Sequence, residues 1–124
     1  MTNYRRGADF ERTIQTHLQA NGYDTFRSAG SHGLVDLIAI KPGQILLIQA
    51  KHDGRIGPDH RRQLLQLAAQ LPSYAIPIVA WKQARNRTPQ YDELLGPEPR
   101  QRQRFTVDYT DHLTGPELYE DGPA

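Results

Sequence analysis

Apolar residues recur along the chain with two different periods. Phe10, Ile14 and Leu18 come every four residues, the spacing of one buried helix stripe, and predict a helix from Asp9 to about Ala20. Asp9 is placed to cap that helix or to sit in its first turn, and Asn21-Gly22 closes it. Glu11 lies at the edge of the stripe and faces inward. From Gly33 to Lys51, GLVDLIAIKPGQILLIQAK, the pattern changes. Leu34, Val35, Leu37, Ile38, Ala39 and Ile40 put apolar groups on both faces of one strand, and Ile45, Leu46, Leu47, Ile48 and Ala50 do so for a second. Strands apolar on both faces are central strands of a covered sheet. Pro42 and Gly43 suit the central positions of the turn between them. That register sets Lys41 against Gln44 and Asp36 against Gln49, with Lys51 on the face of Gln49. A slip of one residue would send one strand's side chains to the other face.

The remaining segments follow the same rules. Thr2 to Gly7 reads as an extended arm. Tyr23 to Arg27 reads as a short strand with Tyr23, Thr25 and Arg27 on one face. Ser28 to Gly33 is a connection leading straight into the Asp36 strand; it lacks the lysine and following helix of a phosphate-binding P-loop. His52 to Pro58 is a glycine-containing loop, with His52 at the surface. Pro58 to Leu71 reads as a second helix whose core stripe is Leu64, Leu67, Ala68 and Leu71, broadened by Leu65 and Ala69 towards a partner. Tyr74 to Trp81 is an apolar strand, and Pro77 within it predicts an edge position or a bulge. Residues 82–104 read as a polar loop with a turn of helix at Tyr91–Leu95. Arg104 to Tyr109 alternates like a strand, and an acidic tail occupies about residues 110–124.

Composition narrows the class. A chain of 124 residues makes one domain with a real core. With no cysteine, disulfides, thiolate metal sites and cysteine nucleophiles are excluded. No apolar run is long enough to span a membrane, and the polar N-terminus is unlike a signal peptide, so a cytoplasmic, intracellular location is expected. The net charge of +1 hides a division: residues 1–104 carry all 15 Lys and Arg against 9 acids, a local excess of +6, and residues 105–124 carry 5 acids and no Lys or Arg. A basic body suits a polyanion, and equally a solvated surface.

The chemistry gathers on the hairpin. An ionised Asp36 in such an apolar strand loses several kcal/mol of hydration unless it is paired or binds a metal. Two readings follow from the residues: a structural ion pair of Asp36 with Lys51, or a metal and phosphodiester site. No serine, histidine and carboxylate spacing marks an acyl-transfer triad, and no HExxH motif occurs.

Three blocks, YRRGADFER at 4–12, RSAGSHGLVDL at 27–37 and LLIQAK at 46–51, resemble in order and spacing those of the archaeal-type Holliday junction resolvases within the PD-(D/E)xK nuclease superfamily. The resemblance covers roughly the first half of the chain and continues weakly to Trp81. It implies an α/β, restriction-endonuclease-like core, a central mixed β-sheet flanked by helices. It implies a homodimer that cuts opposed strands of a four-way DNA junction, with Mg²⁺ as cofactor and Mn²⁺ as a substitute. On these residues it implies metal binding by Glu11, Asp36, Gln49 and the main-chain carbonyl of Ala50, and a lysine, Lys51, that positions or activates the attacking water. Arg12, Arg27 and Ser28 match positions that hold DNA or support catalysis. Arg5, Arg6, His32, Arg55, Arg61 and Arg62 are further expected DNA contacts. The chain departs from the family at Gln49, where glutamate is usual. An amide oxygen can ligate Mg²⁺ but brings no charge. Two alternatives stand beside this reading: a flap, mismatch or general duplex nuclease of the same fold, and a DNA-binding module with a decayed site.

Overall fold

The computed structural model describes residues 3–28 and 33–108, with side chains from residue 6 onwards. Two helices and six strands follow in the order α1 (Asn3–Ala20), β1 (Asp24–Arg27), β2 (Leu37–Lys41), β3 (Gln44–Ala50), α2 (Pro58–Ala69), β4 (Ala75–Trp81), β5 (Gln90–Leu94) and β6 (Arg102–Arg104). The strands form one sheet in sequence order. Only the β3–β4 pairing is parallel, and α2 makes the crossover between those two strands. The sheet is therefore mixed, as the family resemblance implies, and flanked by helices, as the hairpin's two-faced apolar pattern predicts.

Each helix covers one face. Phe10, Ile14 and Leu18 of α1 pack on Leu37, Ala39, Leu46, Ile48, Ile78 and Ala80. Ile14 and Leu18 are fully buried, each stabilising the fold by about 1.5–3 kcal/mol. On the other face Leu64 of α2 meets Leu47, Val79 and Leu94, with Ile38 and Ile45 at the margin. The parity of the buried positions thus changes sides along β2 and β3, as a pleated strand requires.

The hairpin register is the expected one from Lys41↔Gln44 to Leu37↔Ile48. Gly43 adopts φ +77° at the turn, a conformation that favours glycine. At Asp36 the ladder breaks. Its N–H donates to the Ile48 carbonyl on β3, whereas its own carbonyl accepts from Ser28 N–H on the β1 side. In a regular antiparallel strand both groups of one residue point to the same neighbour. Asp36 and Leu37 are therefore both set against Ile48, which is a β-bulge, and Asp36 does not simply face Gln49.

Other expectations are corrected. Residues 3–7 belong to α1 and are not an extended arm, so Asp9 lies inside the helix and caps nothing. Its carboxylate meets Arg12 instead. Leu71 lies past the end of α2 and is exposed. β4 is central, between β3 and β5, despite Pro77. Lys51 N–H donates to the Ala80 carbonyl and Ile45 N–H to that of Tyr74, so even-numbered β4 residues face β3. Pro77 turns its missing donor towards β5, whose pairing with β4 begins only at Ile78. The segment 82–104 is not a loop with a helical turn: it holds β5, over the stretch expected to be helical, and β6. The alternation expected from Arg104 onwards is not a strand in residues 105–108; β6 ends at Arg104, and Phe105 N–H still bonds the Tyr91 carbonyl. The acidic tail lies outside the described residues.

Candidate active site

The bulge at Asp36 lies where β2 and β3 begin to part. Bulges re-aim side chains, and here the Asp36 carboxylate accepts the Ala50 N–H at 2.9 Å through one oxygen. The other oxygen has no hydrogen-bond partner among the described residues. Lys51 follows at the end of β3. Its N–H extends the parallel ladder to Ala80, and its carbonyl accepts from Gly54 N–H. The Lys51 side chain is half-buried, and among the described residues its ammonium makes no hydrogen bond or ion pair. A structural Asp36–Lys51 ion pair is therefore not what occupies this strand end.

Glu11 reaches the same region from α1. Its Oε1 accepts from Arg27 Nη2 at 3.0 Å and Nε at 3.3 Å, and both side chains are mostly shielded. Arg27 pairs with Leu37 across β1–β2, so this ion pair lies on the α1 side, one residue from the bulge. Arg27 thus neutralises and orients Glu11, and Ser28 fixes the Asp36 carbonyl.

Gln49 is 3% exposed. By strand alternation it shares the α2 side with Ile45 and Leu47, and its amide donates to the Leu34 carbonyl. The backbone therefore sets Asp36, Ala50 and Lys51 at one end of the hairpin, with Glu11 held by Arg27 on the α1 side, while Gln49, on the α2 side, is tied to Leu34. Among the described residues no group of three or more His, Cys, Asp or Glu side chains is placed to hold a metal ion. The donors present are one oxygen each from Asp36 and Glu11, together with the Ala50 carbonyl. That set fits an ion of the Mg²⁺ kind, which keeps several waters and takes one or two carboxylates.

The expected DNA contacts separate. Arg12, Arg55 and Arg62 are exposed, and among the described residues each pairs only with a near neighbour, Asp9, Asp53 and Asp59 respectively. Arg6 is exposed on α1. Arg5 and His32 have no described side chain. Arg61 is a correction: it is 2% exposed, and its guanidinium donates to the carbonyls of Gly96 at 2.8 Å, Gln101 at 3.2 Å and Pro99 at 3.2 Å. Burial, and Arg102 nearby, push its pKa down against the opposing pull of Glu98. It holds the β5–β6 turn against α2 and, being buried, is not presented to a phosphate.

The structure adds residues that sequence reasoning left aside. His52 stacks on Phe10 with ring centroids 4.8 Å apart, and Lys82 lies 5.7 Å from the same ring. A groove of about 330 Å³ runs between Arg6, Phe10, His52, Lys82 and Arg87, and a second of about 700 Å³ follows past Arg85. Among the described residues Lys82, Arg85 and Arg87 pair with no acid. Burial, then Lys82 and Arg6, lower the His52 pKa, with Asp53 opposing. The Lys82–Arg87 cation spacing was visible in the sequence; its return to His52, through Lys82 N–H and the His52 carbonyl, was not.

Comparisons with known proteins bear on the fold and the family. A crossover junction endodeoxyribonuclease Hjc of Methanocaldococcus jannaschii is 46% identical over 48 residues, 39% of this chain and 35% of that protein, so the match spans about a third of the relative's length. The solved structure of Hjc from Archaeoglobus fulgidus, a Holliday junction resolvase, superposes with a TM-score of 0.62 at 23% identity, over 87% of this chain and 93% of that one. At that identity the likeness establishes the fold. The family model for archaeal Holliday junction resolvases matches residues 2–110. That match passes Trp81, where the resemblance read from the sequence had faded, and takes in β5 and β6. On a match running from α1 through every strand of the sheet, the chain belongs to the archaeal Holliday junction resolvase (Hjc) family.

Proposed function

We propose that this protein is a metal-dependent endodeoxyribonuclease that resolves four-way DNA junctions as a homodimer. One observation carries the reading: a carboxylate, Asp36, is re-aimed by a bulge onto Ala50 N–H, and the next residue, Lys51, has a half-buried ammonium that no acid among the described residues neutralises. A bare ammonium against an apolar sheet costs hydration, and an anionic phosphodiester supplies its missing partner.

Asp36 and Glu11, with the Ala50 carbonyl, would hold Mg²⁺, or Mn²⁺ in its place. When bound, the ion would neutralise charge developing on phosphorus and acidify a coordinated water. Lys51 orients that nucleophile or stabilises the charge of the transition state. Arg27 pairs with Glu11 and aims it. The exposed Arg6, Arg12, Arg55 and Arg62, extended by Lys82, Arg85 and Arg87, hold phosphates without reading sequence. Each chain carries one such site, and paired cuts on opposed strands need two. Alternation places Phe26 beside Ile38 and Ile40 on the α2 face, and α2 does not cover that end: Phe26 is 56% and Ile40 39% exposed. A second copy seats there.

Cleavage of a labelled four-way junction in Mg²⁺, beside linear duplex and flap controls, tests the reading, with Lys51→Ala as the guard against contaminating nuclease. Paired symmetric nicks near the branch point in the junction alone are expected, with Lys51→Ala binding but not cutting. Cutting of every substrate would reassign the protein as a flap or general duplex nuclease. Tight binding without cutting in Mg²⁺ or Mn²⁺ would favour the decayed DNA-binding module, which the neutral, tethered Gln49 supports.

A further inference from the structure

We propose that Arg102 is a positioning residue for Lys51, acting through the turn that follows β3. Lys51 ends its strand, and its backbone direction depends on residues 52–54. The Gly54 N–H closes that turn on the Lys51 carbonyl at 2.8 Å. The Gly54 carbonyl in turn accepts from Arg102 Nη1 at 2.8 Å. Arg102 is itself fixed, since its Nε donates to Asp92 Oδ2 at 2.9 Å, and the two side chains are 22% and 15% exposed. An uninterrupted chain of hydrogen bonds therefore runs from β5 through β6 to the turn beside the ammonium.

The His52 end of the turn is held by Lys82 N–H and by stacking on Phe10, and Arg102 fixes its Gly54 end. Gly54 is buried at φ +79°, and a Cβ there would come within 3.3 Å of Trp81 Cγ. Glycine is required for that approach, and glycine by itself brings freedom and no rigidity. A guanidinium spans a carboxylate and a carbonyl at once because its donors are fixed in a planar fork; a lysine ammonium on a flexible stem does not hold both with the same direction. Arg61, seated on the Gly96, Pro99 and Gln101 carbonyls, keeps the β5–β6 turn in place around this link. β5 and β6 thereby gain a task at the active site without touching substrate. The inference rests on the assignment of Lys51 to the chemistry.

The test uses the full chain and its three lysines, Lys41, Lys51 and Lys82. Lys41 is 6% exposed and reports the integrity of the fold; Lys82 is exposed and reports reagent activity. Brief acylation with acetic anhydride across a pH series, read by peptide mass spectrometry, gives each amine's reactivity profile. In Arg102→Ala, the Lys51 profile shifts while Lys41 stays protected and Lys82 is unchanged. Single-turnover cutting of the junction falls by on the order of tenfold to a hundredfold, with the binding constant within about twofold of wild type. Arg102→Lys recovers a part of the rate, and Asp92→Asn, which loosens Arg102 without removing it, shows a smaller loss of the same kind. An unshifted Lys51 profile would overturn the proposal, as would Lys41 becoming reactive in step with Lys51. If wild-type protein cuts no junction, or Lys51→Ala cuts normally, the functional reading fails, and the acylation profiles still decide whether Arg102 positions Lys51.

Discussion

Two buried polar residues, Gln49 and Arg61, were given functional roles from sequence, and their surroundings divide those roles. Gln49 occupies a position where a carboxylate would add charge near Asp36, but its amide is bonded to the Leu34 carbonyl. Gln49→Glu removes that donor and brings an acceptor towards a carbonyl. We expect the variant to need less Mg²⁺ for half-maximal junction cutting, at a cost in stability of about 1–3 kcal/mol for the unsatisfied Leu34 carbonyl. Titrating Mg²⁺ on both proteins checks this. Loss of cutting with the fold intact would overturn the ligand role that the sequence suggested for position 49. Arg61 needs the opposite treatment. Its charge run, His60-Arg61-Arg62, reads as a solvated basic patch, and only the arrival of the β5–β6 turn reveals three carbonyls waiting for it. Arg61→Ala leaves those groups unsatisfied and is expected to lower unfolding stability by more than about 2 kcal/mol, seen as a lower urea midpoint. Arg62→Ala, on the exposed neighbour, should leave the midpoint nearly unchanged.

At the scale of elements, the first two-thirds of the chain was legible because one signal dominated in each segment. Phe10, Ile14 and Leu18 recur every four residues, as one face of a helix does, and the hairpin is apolar on both faces with a turn between. The register was readable as far as Leu37. The bulge at Asp36 was not, because it depends on Ser28 holding a carbonyl that the hairpin alone leaves free. β5 was missed because QYDEL carries only Tyr91 and Leu94 as apolar markers, and charged partners do the remainder: Arg102 and Arg104 both reach Asp92 across the β5–β6 ladder. The start of α1 was missed at Gly7, a residue that weakens helices. Nothing lies within 4 Å of where a Gly7 Cβ would point. Gly7→Ala is therefore expected to stabilise the protein by roughly 0.5–1 kcal/mol without altering cutting. Thermal unfolding beside a cleavage assay measures both.

The whole molecule joins two questions, its response to pH and its assembly. His17 is half-buried, bonded to Tyr91 Oη at 2.9 Å, and burial holds its pKa below the ordinary 6.5. His52 is lowered as well, by burial, Lys82 and Arg6. A lowered histidine pKa means that the unfolded chain binds protons more readily than the folded one, so stability contributed by the neutral rings is complete well above pH 6.5 and declines as pH falls below it. The melting temperature should drop between pH 7.5 and 5.5, and His17→Gln should flatten part of that slope; a slope unchanged in the variant would exclude His17 as a source. Assembly is the larger matter, since on the proposed function one chain carries one site and a resolved junction needs two cuts. A sheet end carrying Phe26 and Ile40 in water is a costly surface for a lone chain and an asset only when covered. Phe26→Asp with Ile40→Asp places two charges on it without touching Glu11, Asp36 or Lys51. Sedimentation should show the wild type as a dimer and the double variant as a monomer with the same far-ultraviolet dichroism. If the seat is right, the monomer still hydrolyses phosphodiesters but loses the pairing of its cuts, and nicked junctions accumulate in place of resolved duplexes. A double variant that remains dimeric and resolves junctions normally would move the interface elsewhere and leave the chemistry of the single site untouched.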